Sequence, residues 1–251
     1  MNSESSILGM ALIKENHLKG IKALLKDLEN RWGLLINNYH ENESGHYFTI
    51  NEESVILGFA DFQIPSNDIE YAFNITYDLN VNDKNYFNHK SHLIISVLPN
   101  NSDIIERFSL FSKIIISIFN STNTFSYYYG DANKLFEKDQ ILNKEVIIKN
   151  GKLPLDLWIN FIVDKSDEKF SVFTNGLEKF KRLEIELLNS PLDLDYIYSL
   201  IYDSIHYILL NNEELKNNDT IGYFEENKII IKASPGIYVN KDSVKLIMEK
   251  K

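Results

Sequence analysis

Two closely spaced glutamates and one histidine are the side chains in this sequence best suited to acid–base or metal chemistry. Glu184 and Glu186 lie two residues apart in a stretch of alternating apolar and polar residues. A β-strand would therefore direct both carboxylates to one face. With His92 across from them, the three side chains could serve a hydrolase as acid, base or metal ligands. The same alternation is typical of a sheet with one dry face, which predicts that both glutamates face water.

His89 and His92 form a second candidate pair, because imidazoles are common ligands of zinc and similar ions. The two histidines are three residues apart at the start of an apolar stretch. Residues three apart on a strand point to opposite faces, so both rings reach one ion only if His89 lies in a turn. We therefore expect a structural role, in which one ring is buried and hydrogen-bonded, and no resident cofactor.

Thr174-Asn175-Gly176 is a third candidate, and it has two interpretations. Successive backbone N–H groups at such a turn can form a nest that binds an anion. Asn-Gly is also a strong signal for a hairpin turn, which needs no ligand.

Composition excludes several classes of protein. The chain has no cysteine, which rules out disulfides, thiol nucleophiles and cysteine-ligated metals. Its formal net charge is −10 and only three residues are arginine, which disfavours binding to nucleic acid or to an anionic membrane. The N-terminus has neither a secretory signal nor a membrane-spanning segment, so a cytoplasmic location is the default expectation.

The negative charge is concentrated in the second part of the sequence. Residues 151–227 contain 15 acidic and 7 basic residues. This balance would steer a basic partner to that region, although acidic surfaces also serve solubility alone. Tyrosine, which is enriched at protein interfaces, occurs in the same region. The predicted binding residues combine these two features: Asp193, Asp195, Tyr196, Glu213, Glu214, Asp219 and Tyr223.

Helix and strand signals place these candidates on an α+β fold. Three apparent strands followed by a helix beginning at a Ser and Pro pair occur twice, with helix starts at Ser66 and at Ser190-Pro191. A long helix from Ser102 to about Phe119 is apolar almost all round and is expected to be buried. We predict an antiparallel or mixed sheet with helices packed on one face. We expect one compact α+β domain, 1–251, with a duplicated βββαβ pattern as an alternative that gives lobes 1–150 and 151–251.

Several short motifs share their order and spacing with a known family. They are HKSHLIISVL from His89, YYYG at Tyr127–Gly130, LPLDLWI from Leu153, TNGL at Thr174–Leu177, the Glu184-x-Glu186 pair and DTIGYFEE from Asp219. Together, from about Ile7 to the end of the chain, they resemble the bacterial domain-of-unknown-function 4261 family. That resemblance implies a cytoplasmic bacterial α+β protein, and it implies no catalytic activity.

The sequence favours a non-enzymatic binding protein of the immunity or regulatory kind. In this hypothesis the acidic C-terminal lobe engages a basic protein partner, such as a toxin or effector. The alternative is a metal-dependent or acid–base hydrolase that uses His92, Glu184 and Glu186. Neither hypothesis specifies the oligomeric state.

Overall fold

The computed structural model describes residues 6–43, 45–79, 85–99, 102–221 and 229–248. The chain divides into two compact units, Met1–Leu157 and Trp158–Lys251. Each unit has its own β-sheet, and each is described by itself below.

The first unit is built on a seven-stranded sheet in which every neighbouring pair is antiparallel. The strand order is β2-β3-β4-β5-β1-β6-β7. Its strands are β1 Ile7–Ile13, β2 Ile36–Asn42, β3 Gly45–Ile50, β4 Glu53–Ala60, β5 Ser91–Val97, β6 Thr124–Tyr129 and β7 Lys134–Glu137. Its helices are α1 Ile21–Trp32, α2 Ser66–Ile75, α3 Ile104–Ser121, α4 Lys138–Leu142 and α5 Lys144–Lys149, and α6 Leu155–Trp158 lies at the boundary with the second unit.

Helices lie on both faces of this first sheet. Tyr128 and Tyr129 are consecutive in β6, so their side chains point to opposite faces. Tyr128 belongs to the hydrophobic cluster that contains Ile69 and Ala72 of α2. Tyr129 packs edge-on against Phe108 of α3, with 6.4 Å between the ring centroids. The predicted α+β class is confirmed, whereas the helices of this unit cover two faces and not the one that the sequence predicts, because both sheet faces are apolar.

The long helix α3 is buried on most sides, as its sequence predicts. Eleven of its residues are buried, including Phe111, Ile115 and Ile118. No described helix has the length and apolar character that a membrane-spanning segment needs.

The second unit has a six-stranded mixed sheet. The strand order is β11-β12-β13-β10-β9-β8, and the β10–β13 pair is parallel. Its elements are β8 Asn160–Ser166, β9 Lys169–Asn175, β10 Glu184–Ser190, α7 Leu194–Leu210, β11 Thr220–Ile221, β12 Ile229–Pro235 and β13 Asp242–Met248. Tyr198 of α7 packs on Phe161 of β8, with 4.7 Å between ring centroids, so α7 covers one face of this sheet.

The two units share an antiparallel β-β-β-α segment and differ in the strand that is placed next to it. In the first unit, β5 comes after α2 and pairs antiparallel with β4. In the second unit, β13 takes the equivalent position beside β10, but it runs parallel and comes after β11 and β12 in the sequence. The shared order alone does not distinguish a duplication from similar packing of the same element types.

Both long helices begin later than the sequence predicts. Asp193, not Ser190, is the N-cap of α7, where its carboxylate accepts the N–H of Asp195 at 2.9 Å. Ser190 is still part of β10, and its hydroxyl accepts the N–H of Leu192 at 3.2 Å. Likewise Asp103, not Ser102, is the N-cap of α3. Ser and Asp are equally good caps, so the choice of N-cap depends on how far the backbone before the helix remains extended.

Candidate functional site

Glu184 and Glu186 lie on β10, inside the second sheet between β9 and β13. The parallel register with β13 places Glu184 opposite Ser243 and Glu186 opposite Lys245. The prediction that both glutamates face water is wrong for Glu186, which is 0% exposed. Glu184 is partly buried. The polar positions of this strand are therefore covered by other parts of the same unit.

Glu186 is bound by a loop from the far end of the sequence. Its carboxylate Oε1 accepts the backbone N–H groups of Ile237, Tyr238 and Val239 at 3.1, 2.7 and 3.1 Å. Oε2 accepts the Ser243 hydroxyl at 2.9 Å and forms an ion pair with the Lys245 ammonium. Burial by itself would raise the pKa of Glu186, but Lys245 and the other donors favour the charged form and hold that pKa below its ordinary value.

Glu184 occupies the anion nest that the sequence suggested at Thr174-Asn175-Gly176. Its carboxylate accepts the Thr174 hydroxyl at 2.6 Å and the N–H groups of Gly176 and Leu177, each at 2.9 Å. Gly176 has φ of 128°, a conformation that favours glycine. The segment does not form a tight hairpin, because a 3₁₀ helix at Leu177–Phe180 intervenes before β10. Burial raises the pKa of Glu184, although its hydrogen-bond donors oppose that shift.

His89 and His92 are both buried and hydrogen-bonded within the first unit. His89 Nδ1 donates to the carbonyl of Tyr86 at 2.7 Å, while Nε2 accepts the N–H of Ile64 at 2.8 Å. His92 Nδ1 donates to the carbonyl of Phe62 at 2.9 Å. Burial lowers the pKa of both imidazoles, so they are neutral at physiological pH. These contacts match the expected structural role and extend it to both rings.

The hydrolase hypothesis gains no support from this arrangement. His92 belongs to the first unit, whereas Glu184 and Glu186 belong to the second. Each of the three side chains is already engaged by groups of its own unit. Among the described residues, no three His, Asp or Glu side chains are grouped so that they could hold a metal ion.

The predicted binding residues separate into two groups along α7. Asp193, Asp195 and Tyr196 lie at its N-terminus, where Tyr196 is 45% exposed. Glu213, Glu214 and Asp219 come after its C-terminus. The helical rise places Asp195 about 18 Å along the axis from Tyr207, which lies near the second group. Tyr223 lies outside the described residues.

The second group lines a cavity of about 460 Å³ in the second unit. This volume is within the range of roughly 300–1,000 Å³ that is common for ligand pockets. Its acidic residues are Asp203, Glu213, Glu214 and Asp219, and its other lining residues are Leu200, Ser204, Tyr207, Ile208, Leu215, Thr220 and Ile221. The cavity thus combines an apolar floor with carboxylates.

Hydrogen bonds fix the segment that carries these carboxylates. Arg182 donates through Nε to the carbonyl of Glu213 and through Nη2 to the side chain of Asn212, both at 2.8 Å. Asp219 accepts the N–H of Lys216 through its carboxylate at 2.7 Å, and its own carbonyl accepts the N–H of Ile231 in β12 at 2.9 Å. Both ends of the acidic segment are therefore tied to ordered elements.

Sequence reasoning did not identify Asp203 and Tyr207 as members of this cavity. They are four residues apart on α7 and hence on one face of the helix. The helical spacing of Leu200, Ser204 and Ile208 beside them was the available signal. No sequence pattern indicated that Ser243 and Lys245 are the partners of Glu186.

Comparison with curated proteins and with solved structures finds no match for the chain. A family model does match part of it. The matched segment, residues 173–247, contains β10, α7, the acidic cavity and the loop that binds Glu186. The resemblance predicted from the sequence is therefore confirmed over this segment, which matches the family described as Domain of unknown function (DUF4261).

Proposed function

We propose that this chain is a binding protein that takes a basic protein partner, such as a toxin or effector, through the acidic cavity of its second unit in an immunity or regulatory role. One observation carries the proposal. Three predicted binding residues, Glu213, Glu214 and Asp219, converge on a single cavity with Asp203. No Lys, Arg or His is among the lining residues in the described part of the chain.

The chemistry of the cavity suits a lysine or arginine side chain. Such a side chain has an apolar stem and a cationic end, which fit an apolar floor below a carboxylate rim. Tyr207 is 59% exposed at the cavity and supplies an aromatic face for a cation. Within the described residues, no hydrogen bond or ion pair engages the side-chain carboxylates of Glu213 and Glu214. As far as the described residues go, these two carboxylates are available to a partner without first breaking an internal contact.

Long-range electrostatics support the same partner class. The second unit, residues 158–251, has 16 acidic and 12 basic residues, a net charge of −4, and the four carboxylates that line the cavity give it a local negative field that attracts a basic surface and accelerates its association. Binding that depends on such a field weakens as salt screens it.

The test uses a synthetic peptide rich in lysine and arginine as the probe, with isothermal titration calorimetry at low and at physiological salt. The double substitution Glu213→Lys and Glu214→Lys is expected to weaken peptide binding by at least tenfold. Tyr207→Ala is also expected to weaken peptide binding, but the loss of affinity should change less with salt than the loss in the charge-reversal variant, because Tyr207→Ala removes an aromatic face and no charge.

The matched control is Glu168→Lys with Glu178→Lys. It makes the same change of charge in the second unit but at residues that do not line the cavity. Equal losses in the two double variants would mean that net charge alone binds the peptide, which contradicts the proposal. An unchanged affinity in the cavity variant would refute it outright.

A further inference from the structure

The groups around Glu186 have the composition of an anion receptor. Three successive backbone N–H groups, at Ile237, Tyr238 and Val239, converge on one carboxylate oxygen. The other oxygen takes a hydroxyl and an ammonium from Ser243 and Lys245. Backbone nests combined with a cationic side chain are a recurrent way of binding carboxylate and phosphate oxygens.

This receptor also determines the conformation of one loop, Gly236–Lys241, which we call the receptor loop. The loop closes on itself through the Gly236 N–H and the Lys241 carbonyl at 2.9 Å. Tyr238 stacks on Phe173 of β9 with 4.6 Å between ring centroids, and its hydroxyl donates to Asp164 at 2.6 Å. Ile237 remains 68% exposed. The carboxylate of Glu186 is the group to which the N–H donors of this loop are directed.

The occupant and the donors come from distant parts of the sequence. Glu186 lies on β10, and its donors lie on the receptor loop and β13, more than fifty residues later. The Glu186 side chain therefore occupies the receptor loop in the way that a bound ligand occupies its site. Removing it would leave three N–H groups without their acceptor and the buried Lys245 ammonium without its counterion, with only the Pro235 carbonyl and the Ser243 hydroxyl as acceptors among the described residues, which is unfavourable.

We infer that Ile237, Tyr238, Val239, Ser243 and Lys245 form a carboxylate receptor whose internal occupant is the Glu186 side chain, and that a bound carboxylate, attached or free, sets the conformation of the receptor loop. The ligand class is a small monocarboxylate. Formate and acetate carry the same two oxygens and fit the space vacated when the Glu186 side chain is shortened.

The test is chemical rescue of Glu186→Ala in the full chain. Thermal unfolding is followed with and without sodium formate, using sodium chloride at equal ionic strength as the salt reference, and amide exchange is measured at residues 237–239. Formate is expected to raise the melting temperature of the variant saturably and to restore slow exchange, because it binds the folded state only. The wild-type chain, whose receptor is occupied, is expected to respond equally to formate and chloride.

Two further variants make the result specific. Glu178→Ala removes an exposed carboxylate that pairs with Lys241 on the same loop, so it is expected to show no formate effect. Adding Lys245→Met to Glu186→Ala removes the cation of the receptor and is expected to raise the half-saturating formate concentration at least tenfold. Equal effects of formate and chloride on Glu186→Ala would overturn the inference. If Glu186→Ala does not fold in buffer, its refolding yield is measured in place of the melting temperature. Equal yields in formate and in chloride would likewise overturn the inference.

Discussion

The Lys245–Glu186 pair offers a sharp energetic test, because one partner can be removed while the other stays buried. Lys245→Met deletes the ammonium and keeps most of the apolar volume. Glu186, which is 0% exposed, would then be a buried carboxylate without its cation. Breaking such a pair costs roughly 3–5 kcal/mol of unfolding free energy. We expect about 3 kcal/mol, at the lower end, because the backbone N–H groups and the Ser243 hydroxyl remain.

The pH dependence distinguishes lost charge pairing from lost packing. In the wild-type chain the pKa of Glu186 is lowered on folding, so its stabilisation is complete above its ordinary value of 4.5 and is lost as pH falls through the lower folded pKa. In Lys245→Met, burial remains without the cation, so the folded pKa of Glu186 is expected to lie above its value in the wild-type chain. Protonation of Glu186 as the pH falls then removes the cost of burying its unpaired charge in the variant. The difference in unfolding free energy between the two proteins should therefore shrink as the pH falls from neutral to 4.5.

Tryptophan fluorescence can report this unit alone. The sequence has two tryptophans, and Trp32→Phe leaves Trp158, which is 1% exposed and stacked on Phe180 of the second unit. Urea unfolding of Lys245→Met in that background measures the change. Lys241→Met, which breaks an exposed ion pair, is the control and should alter the unfolding free energy by less than about 0.5 kcal/mol. A Lys245→Met effect that is the same at both pH values would refute the reasoning.

Substitutions at three further positions test other parts of the structure. Gly9→Ala should lower the unfolding free energy by about 1–3 kcal/mol in urea titrations, because its Cβ would overlap the buried hydroxyl oxygen of Tyr127. Tyr129→Phe should not lower the melting temperature, since the Tyr129 hydroxyl is buried without a hydrogen-bond partner among the described residues. Asp193→Ala should cost about 1 kcal/mol in the same titrations by removing the cap of α7, while Asp193→Ser should keep most of that stability.

The elements that depend on local patterns were predictable from the sequence. The apolar run Ile7–Ile13 is β1, and the helical spacing after Pro191 does mark α7. The start of α7 was misplaced because Ser190 and Asp193 are both competent caps. Pairing of β10 with β9 reaches Ser190, so this residue stays extended and the cap passes to Asp193. Such a choice depends on strand pairing, which no local pattern reports.

The environment of the glutamates could not be predicted for a related reason. Alternation along β10 correctly places Glu184 and Glu186 on one face, but it does not say what covers that face. The cover of Glu186 is the receptor loop, and its donors approach only when β13 has paired with β10. The environment of Glu184 was closer to prediction, since Thr174 and Gly176 lie within ten residues of it and a nest was one of the two interpretations of their sequence.

Two pairs of acidic residues in the second unit have different environments, and only one of these environments is compatible with the proposed binding. Glu184 and Glu186 are engaged by backbone N–H groups, and reversing their charge would place a cation against donors. Glu213 and Glu214 are exposed and have no described side-chain partner, so reversing their charge changes the field of the cavity and leaves internal contacts in place. A binding surface that must exchange water for a partner uses groups of the second kind, because groups of the first kind would lose fold stability whenever they turned outward to bind. The net charge of the unit therefore overstates the charge available to a ligand.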